Sequence, residues 1–371
     1  MSNNKNQTIA EAFFRINLQQ DLPPELATQA FNLILQDSDI GQRDIQLGAF
    51  LSGLMAKGPT LEETIAVLNT ALEQDRINPN PKKSIELKPH QKLIGCAGSG
   101  KKGIKTMNIS TPSMIVASAS GAYVVKPGSS STSSLSGSTD FSSEIGINLE
   151  QDEDKTISMI QRTGFGIFSI ESLIPNFDRR YGGKFYAPHV LSFAFPGLLS
   201  PVKLDGLLYG LSHPNVDLSV DVFNHYGYDN VLVVSCTDDN VHYIDEVGIH
   251  GKTYIKGIKN RTIEDKIEFQ PHLVLGVPKY KSSDISQGRN FFENIKLGIE
   301  SVSPQTKDNA RRDIVCINAG NLLYMSGLVE NIREGFDRAK DTVTSGRAIR
   351  HLRDIIEESD GIQHKLERYL K

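Results

Sequence analysis

Residues 95–140 constrain this chain more than any other stretch. Gly95, Gly98, Gly100 and Gly103 crowd a short loop, followed by Asn108-Ile-Ser-Thr, a run of small residues, and Lys126 leading into a second loop of glycines and serines. Such loops present backbone N–H groups and hydroxyls without bulky side chains in the way. Two of them joined by a short α/β passage suit a polyphosphorylated ligand, and the start of the intervening helix adds a favourable dipole.

At 371 residues the chain can bury a large core, and two domains are expected. Its formal net charge of −4 gives no general attraction to nucleic acid or anionic membrane. No apolar run approaches the roughly 18 residues of a membrane span. The first residues lack the basic-then-apolar layout of a signal peptide. Cys96, Cys236 and Cys316 are too few and too far apart for a disulfide framework or a CxxC metal site, so a reducing cytoplasm is expected.

Residues 8–75 carry helical apolar stripes, with Thr60 and Glu63 spaced as a capping box. Asn78-Pro-Asn-Pro reads as a linker. The pattern then changes. Strands are expected at 92–95, 122–126, 230–235, 241–249 and 253–258, with helices at 109–121, 289–299, 308–326 and 331–369. Residues 157–170 mix both signals, and 171–190 read as irregular. Asp238-Asp239 suits a turn. The fold class is therefore α/β: a small all-helical domain plus a larger domain with a mostly parallel sheet covered by helices. The expected division is a helical domain at 1–80, completed by about 171–190, and an α/β domain from 85–170 and 195–371.

Gly95-Cys-Ala-Gly-Ser-Gly-Lys-Lys nearly spells a P-loop, G-x-x-x-x-G-K-[ST]. Lys102 stands where that motif needs a hydroxyl for Mg²⁺, and Gly103-Ile-Lys-Thr-Met interrupts the helix that should follow at once. The match is rejected.

Six segments in order resemble the anthranilate phosphoribosyltransferase family. They are Gln46-Leu-Gly-Ala-Phe-Leu-Ser-Gly-Leu-Met-Ala-Lys-Gly, Asn108-Ile-Ser-Thr with Ser133-Ser-Leu-Ser-Gly-Ser-Thr-Asp, Gly197-Leu-Leu-Ser-Pro, Ile244-Asp-Glu-Val, Asn318-Ala-Gly-Asn-Leu-Leu-Tyr-Met-Ser-Gly, and residues 339–352. The resemblance implies a helical domain joined to an α/β domain, a homodimer formed through the helical domain, and Mg²⁺ as cofactor. It implies phosphoribosyl pyrophosphate as donor and a small aromatic amine as acceptor.

Carried over residue by residue, the resemblance assigns the donor to Gly95, Gly98, Ser99, Thr106, Asn108, Ser110 and Thr111. In the second loop it assigns Lys126, Gly128, Ser133, Ser134 and Ser138. Ser110, Asp245 and Glu246 would hold Mg²⁺, and carboxylates with ligand phosphates suit its octahedral shell. Ser129 and Arg179 would meet the acceptor, with Arg180 as the rival of Arg179. Ser110 or Thr111 could instead serve as a helix cap.

The chain also departs from the family pattern. The aspartate of the family's first loop is replaced by Ser99, and the loop is longer by about three residues. Lys101, Lys102 and Lys105 lie in or beside the extra length, which makes it electropositive. The second loop reads Lys126-Pro-Gly-Ser where the family has Lys-His-Gly-Asn. The side chains that help place anthranilate are thus missing. His189, His213 and His250 read as structural or surface residues.

The expected chemistry is Mg²⁺-dependent transfer of the 5-phosphoribosyl group to an aromatic nitrogen nucleophile, anthranilate-like but not anthranilate. Positioning and electrostatics would do most of the work. Two alternatives remain. One is a nucleoside phosphorylase, against which the acidic pair argues. The other is a non-catalytic ligand- or nucleic-acid-binding paralogue, consistent with the changes at Ser99, Pro127 and Ser129.

Overall fold

The computed structural model describes residues 2–79, 82–131, 134–182, 185–307 and 309–370. Four helices open the chain: α1 (Ser2–Asn17), α2 (Pro24–Leu35), α3 (Ile40–Lys57) and α4 (Leu61–Glu73). The capping box at α4 forms in full, with Thr60 Oγ1 accepting from Glu63 N and Glu63 Oε2 accepting from Thr60 N.

The α/β part alternates as the glycine punctuation suggests. Strand β1 (Leu93–Gly98) leads to α5 (Ser110–Ala119), and β2 (Tyr123–Gly128) leads to α6 (Ser138–Glu144) and α7 (Glu153–Thr163). Strand β3 (Phe165–Ser169) runs into the short helices α8 (Ile170–Leu173) and α9 (Pro175–Tyr181), followed by α10 (Phe195–Leu198). Then come β4 (Gly206–Gly210), α11 (Val216–His225), β5 (Val231–Thr237), β6 (Lys252–Lys259), β7 (Thr262–Ile263) and β8 (Ile267–Phe269). Six helices close the chain: α12 (Pro271–Val274), α13 (Phe291–Val302), α14 (Ala310–Met325), α15 (Ile332–Thr344), α16 (Arg347–Glu358) and α17 (Gln363–Glu367).

The sheet order is β3-β2-β1-β4-β5-β6-β7, with β8 pairing β6. The first five strands in that order are parallel; β6 to β8 are antiparallel additions. Strand order reverses between β1 and β4, which makes their carboxyl ends the topological switch point where α/β sheets bind ligands. One sheet face is covered by α5 and α14, whose residues are almost all buried. The other face shares a single apolar core with the N-terminal helices: Phe31, Phe50 and Leu68 belong to the same cluster as Phe177, Phe193, Tyr209 and Val233. Among the described residues, no helix is long and apolar enough to cross a membrane.

Three local expectations are corrected. Residues 241–249 form no strand beyond a single bridge of Ile244 to Cys236. Asp239 explains this, because its Oδ1 accepts from the amides of Val241 and His242 and turns the chain away from the sheet. Residues 171–190 are not wholly irregular: Pro175 starts α9 at a position where its missing N–H costs nothing, and Gly182 ends it in the left-handed region. Strand β4 and helix α11 are absent from the expected set.

Candidate active site

The carboxyl ends of the parallel strands surround a cleft of about 290 Å³. Residues 98–111 form one wall, residues 126–131 and 134–138 a second, and Asp245 with Glu246 the floor between them. Ile174, Phe177, Tyr181, His189 and Phe195 supply a largely aromatic wall opposite the loops.

The acidic pair is held by close backbone packing. Ile244 and Cys236 exchange both main-chain hydrogen bonds, at 2.9 and 3.1 Å. On the other flank the Asn318 amide accepts from Val247 N at 3.0 Å and donates to Val247 O at 2.9 Å. The Asn318-Ala-Gly-Asn segment thus positions the loop from the buried helix α14. Asp245 Oδ2 reaches across to accept from Gly100 N at 2.8 Å. A Cβ at position 98 would lie 2.4 Å from that same oxygen, so only glycine lets the carboxylate approach.

Both carboxyls are buried, and their protonation equilibria diverge. Burial pushes Glu246 up to about 7 in spite of Lys102 beside it. Burial opposes ionisation of Asp245 too, but Lys102 and the Gly100 amide outweigh it and hold Asp245 below the usual range. Lys102 Nζ lies 3.3 Å from Asp245 Oδ1, is bound to Glu246 Oε1, and donates to Thr106 Oγ1 at 3.0 Å. Glu246 Oε2 is buried without a hydrogen-bond partner, and Asp245 Oδ1 is buried with the Lys102 ammonium beside it. Hard, under-used oxygens of this kind fit a divalent cation. Among the described residues no cluster of three or more His, Cys, Asp or Glu completes a metal cage. An ion on this pair would complete its shell with other oxygens, from hydroxyls, water or a ligand.

The first loop is anchored rather than slack. Ser99 N donates to Gly210 O at 2.9 Å, and Ser99 Oγ accepts from Ser212 N at 2.9 Å. Lys101 sits in the left-handed region at φ 58°, next to Gly100 at 63°, which aims the loop into the cleft. Burial and the neighbouring Lys105 lower the Lys101 ammonium to about 8.

The serine-rich second loop is folded by its own anchors. Asp140 Oδ2 accepts from Ser131 N at 2.7 Å and from Gly137 N at 2.8 Å. Asn294 Nδ2 donates to Asn108 Oδ1 and to Ser136 Oγ, tying the two loops to α13. Lys126 is buried at the end of β2 and lines the cleft.

The aromatic wall is a stack. Tyr181 lies between Phe177 and Phe185, with ring centroids 5.1 and 5.4 Å away and nearly parallel planes. Tyr181 OH shares a hydrogen bond with His189 Nε2, while His189 Nδ1 is buried without a partner. Burial, aided by Lys101, pushes His189 down to about 3, so it stays neutral in the folded protein. An unfolded histidine takes up a proton near 6.5, so folding loses stability as the pH falls from 6.5 toward 3. Between pH 7 and pH 5 this contributes a loss of about 2 kcal/mol, and His189→Gln should remove it. Urea unfolding of both proteins at the two pH values measures the difference.

Most of the residues singled out in the sequence meet in this cleft. Gly98, Ser99, Thr106, Ser110, Thr111, Lys126, Ser129, Ser134, Ser138, Asp245 and Glu246 all line it. Neither Ser110 nor Thr111 caps α5, whose N-cap position is Ile109 without a side-chain bond, so the helix start opens onto the cleft. Four assigned residues have other surroundings than expected. Gly95 lies inside β1, against Leu204 and Leu207, and does not line the cleft. Gly128 ends β2, packed against Ile167 and Ser138. Asn108 lines the cleft and donates its amide to the carbonyls of Ser136 and Gly137, which braces the second loop. Arg179 is exposed and bonds Asn176, because α9 turns Ile174, Phe177, Asp178 and Tyr181 inward and leaves 179 outside. Ser133 lies outside the described residues. The rival Arg180 binds Gln74 in the helical layer.

The sequence reading missed the aromatic wall and the acidic side chains Glu171 and Asp178 beside it. It also treated His189 as structural. The available signal was the i, i+3, i+4, i+7 spacing of Ile174, Phe177, Asp178 and Tyr181.

A family model described as glycosyl transferase family, a/b domain, matches residues 90–349. The anthranilate phosphoribosyltransferase of Marinomonas sp. (strain MWYL1) is 30% identical over 306 residues, covering 82% of this chain and 84% of its own. That of Pseudoalteromonas translucida is 27% identical over 363 residues, covering 97% and 96%. Among solved structures, the Thermus thermophilus enzyme of the same name superposes with a TM-score of 0.73 at 20% identity, over 94% of this chain and 99% of that one. The Saccharomyces cerevisiae enzyme in complex with PRPP and Mg gives 0.73 at 20% identity, over 95% and 98%. At these identities the superpositions establish a common fold.

Proposed function

This chain belongs to the anthranilate phosphoribosyltransferase family, and from that membership we propose that it moves the 5-phosphoribosyl group of phosphoribosyl pyrophosphate to an aromatic nitrogen nucleophile other than anthranilate. The observation that carries this reading is the buried Asp245-Glu246 pair, set between two anchored, hydroxyl-rich loops at the switch point of the sheet.

In this reading the loops grip the donor. The start of α5, with Ser110 and Thr111, and the buried Lys126 take up phosphate oxygens. Asp245, Glu246 and Ser110 would hold Mg²⁺, which when bound supplies positive charge to the leaving pyrophosphate. The C1–O bond to pyrophosphate breaks as the aromatic nitrogen bonds to C1, and the amine proton leaves to water. His189 stays neutral and offers Nδ1 as a hydrogen-bonding group, not as a strong base. Fixed charges and orientation account for the rest.

The acceptor side supports the finer half of the proposal. Ile174, Phe177, Tyr181 and Phe195 suit a flat ring. Both candidate arginines point away, and Glu171 and Asp178 face the cleft instead. Burial, with Glu171 and Asp75 nearby, raises the Asp178 carboxyl. An aromatic carboxylate would meet repulsion here, whereas an uncharged or cationic amine would not. Pyrophosphate release should be measured with an amine panel and with anthranilate. Anthranilate is expected to show kcat/KM at least about 10-fold below the best uncharged amine. Equal turnover of anthranilate would overturn the acceptor assignment, and phosphate-dependent base release from nucleosides would replace the transferase with a phosphorylase.

A homodimer through the helical domain is part of the same proposal. Exposed Phe14, Leu18, Ile40 and Ile45 on the N-terminal helices and their connections support it.

A further inference from the structure

Lys102 stands in an unusual place for a loop lysine. Its ammonium has three N–H donors and three oxygen neighbours: Asp245 Oδ1, Glu246 Oε1 and Thr106 Oγ1. Two of these belong to the carboxylates that would hold a divalent ion. With Lys102 seated, one of the pair's two negative charges is offset and the space between the carboxyls is filled. With Lys102 withdrawn, two buried carboxyls and the under-used Glu246 Oε2 would face a common point. The side chain can make that exchange, because a lysine head is a point charge on a flexible four-carbon stem. It also rises from a loop carrying Lys101 and Lys105, which a diphosphate would attract as a group.

The geometry points to Lys102 as a resident cation that keeps divalent ions off Asp245 and Glu246 until a diphosphate draws its ammonium away. The inference rests on the donor reading above and adds an order to it: protein alone holds metal poorly, and metal and diphosphate enter together. Lys102 is in this sense a positioning residue, releasing the acidic pair as it moves to the incoming phosphates.

Protein-bound Mn²⁺ is measured by equilibrium dialysis on the full chain, with and without methylenediphosphonate. The wild type alone should bind Mn²⁺ at least tenfold more weakly than Lys102→Met alone, and adding methylenediphosphonate should bring the two within about threefold. A second substitution, Glu246→Gln on the Lys102→Met background, should abolish the gain. Equal Mn²⁺ affinity of wild type and Lys102→Met without diphosphate overturns the inference, as does failure of folded Lys102→Met to bind Mn²⁺. Should Lys102→Met not fold, the wild type decides alone: bound Mn²⁺ must rise when methylenediphosphonate is added, and no rise overturns the inference. If Lys102→Met gains Mn²⁺ but neither protein binds phosphoribosyl pyrophosphate, the resident cation stands and the proposed donor falls.

Discussion

Asp245→Asn is expected to lower kcat/KM for pyrophosphate release by about 100- to 1,000-fold, a loss of about 3–4 kcal/mol of transition-state stabilisation. The amide keeps the shape and can still accept from Gly100 N, so the loop stays in place. What disappears is the negative charge that Lys102 neutralises and that a divalent ion needs. Calorimetric titration with phosphoribosyl pyrophosphate and Mg²⁺ should show weaker donor binding in parallel. Unchanged affinity and unchanged turnover would remove Asp245 from the site.

Gly210→Ala is expected to destabilise the protein by about 3–5 kcal/mol, at the upper end of single substitutions. A Cβ at position 210 would lie 1.6 Å from the carbonyl oxygen of Asp245 and 2.4 Å from its carbon. Both are backbone atoms, so no side chain can swing aside. The loop bearing the acidic pair would have to lift off β4, which couples the stability loss to loss of function. Gly48→Ala is the control: it sits in α3 with nothing within 4 Å, and alanine there should be neutral or stabilising by about 0.5–1 kcal/mol. Urea midpoints for the two variants should move in opposite directions or by very different amounts. Similar midpoints would show that the backbone at Asp245 yields easily.

The contrast between Gly98 and Lys102 explains how much of the site could be read from the chain. Glycines at 95–103 are visible because close approach leaves a compositional trace. Asp245-Glu246 is visible through the resemblance of Ile244-Asp-Glu-Val to a family segment, a mark that the neighbouring Asp238-Asp239 lacks. The Lys102 ion pair spans 144 positions to Glu246, and nothing local marks it. Strand β4, Gly-Leu-Leu-Tyr-Gly, is buried on both faces and shows no alternation, so its short apolar run fits several conformations. Arg179 fails for a related reason. Its charge suggested a ligand partner, but the phase of α9 decides orientation, and phase is legible only once the helix is assigned. The chain order of helices and strands, by contrast, follows from capping residues and periodicity. The Thr60–Glu63 box is one such signal, whereas the Gly164 that ends α7 in the left-handed region lies in a stretch of mixed signals and goes unread.

The single apolar cluster that runs from Phe31 and Phe50 through Phe177 to Tyr209 and Val233 has a kinetic corollary. Two lobes welded by so many aromatic side chains cannot swing apart like jaws without exposing that seam to water. Ligand exchange is therefore expected to proceed without parting the two layers, through displacements too small to open that seam.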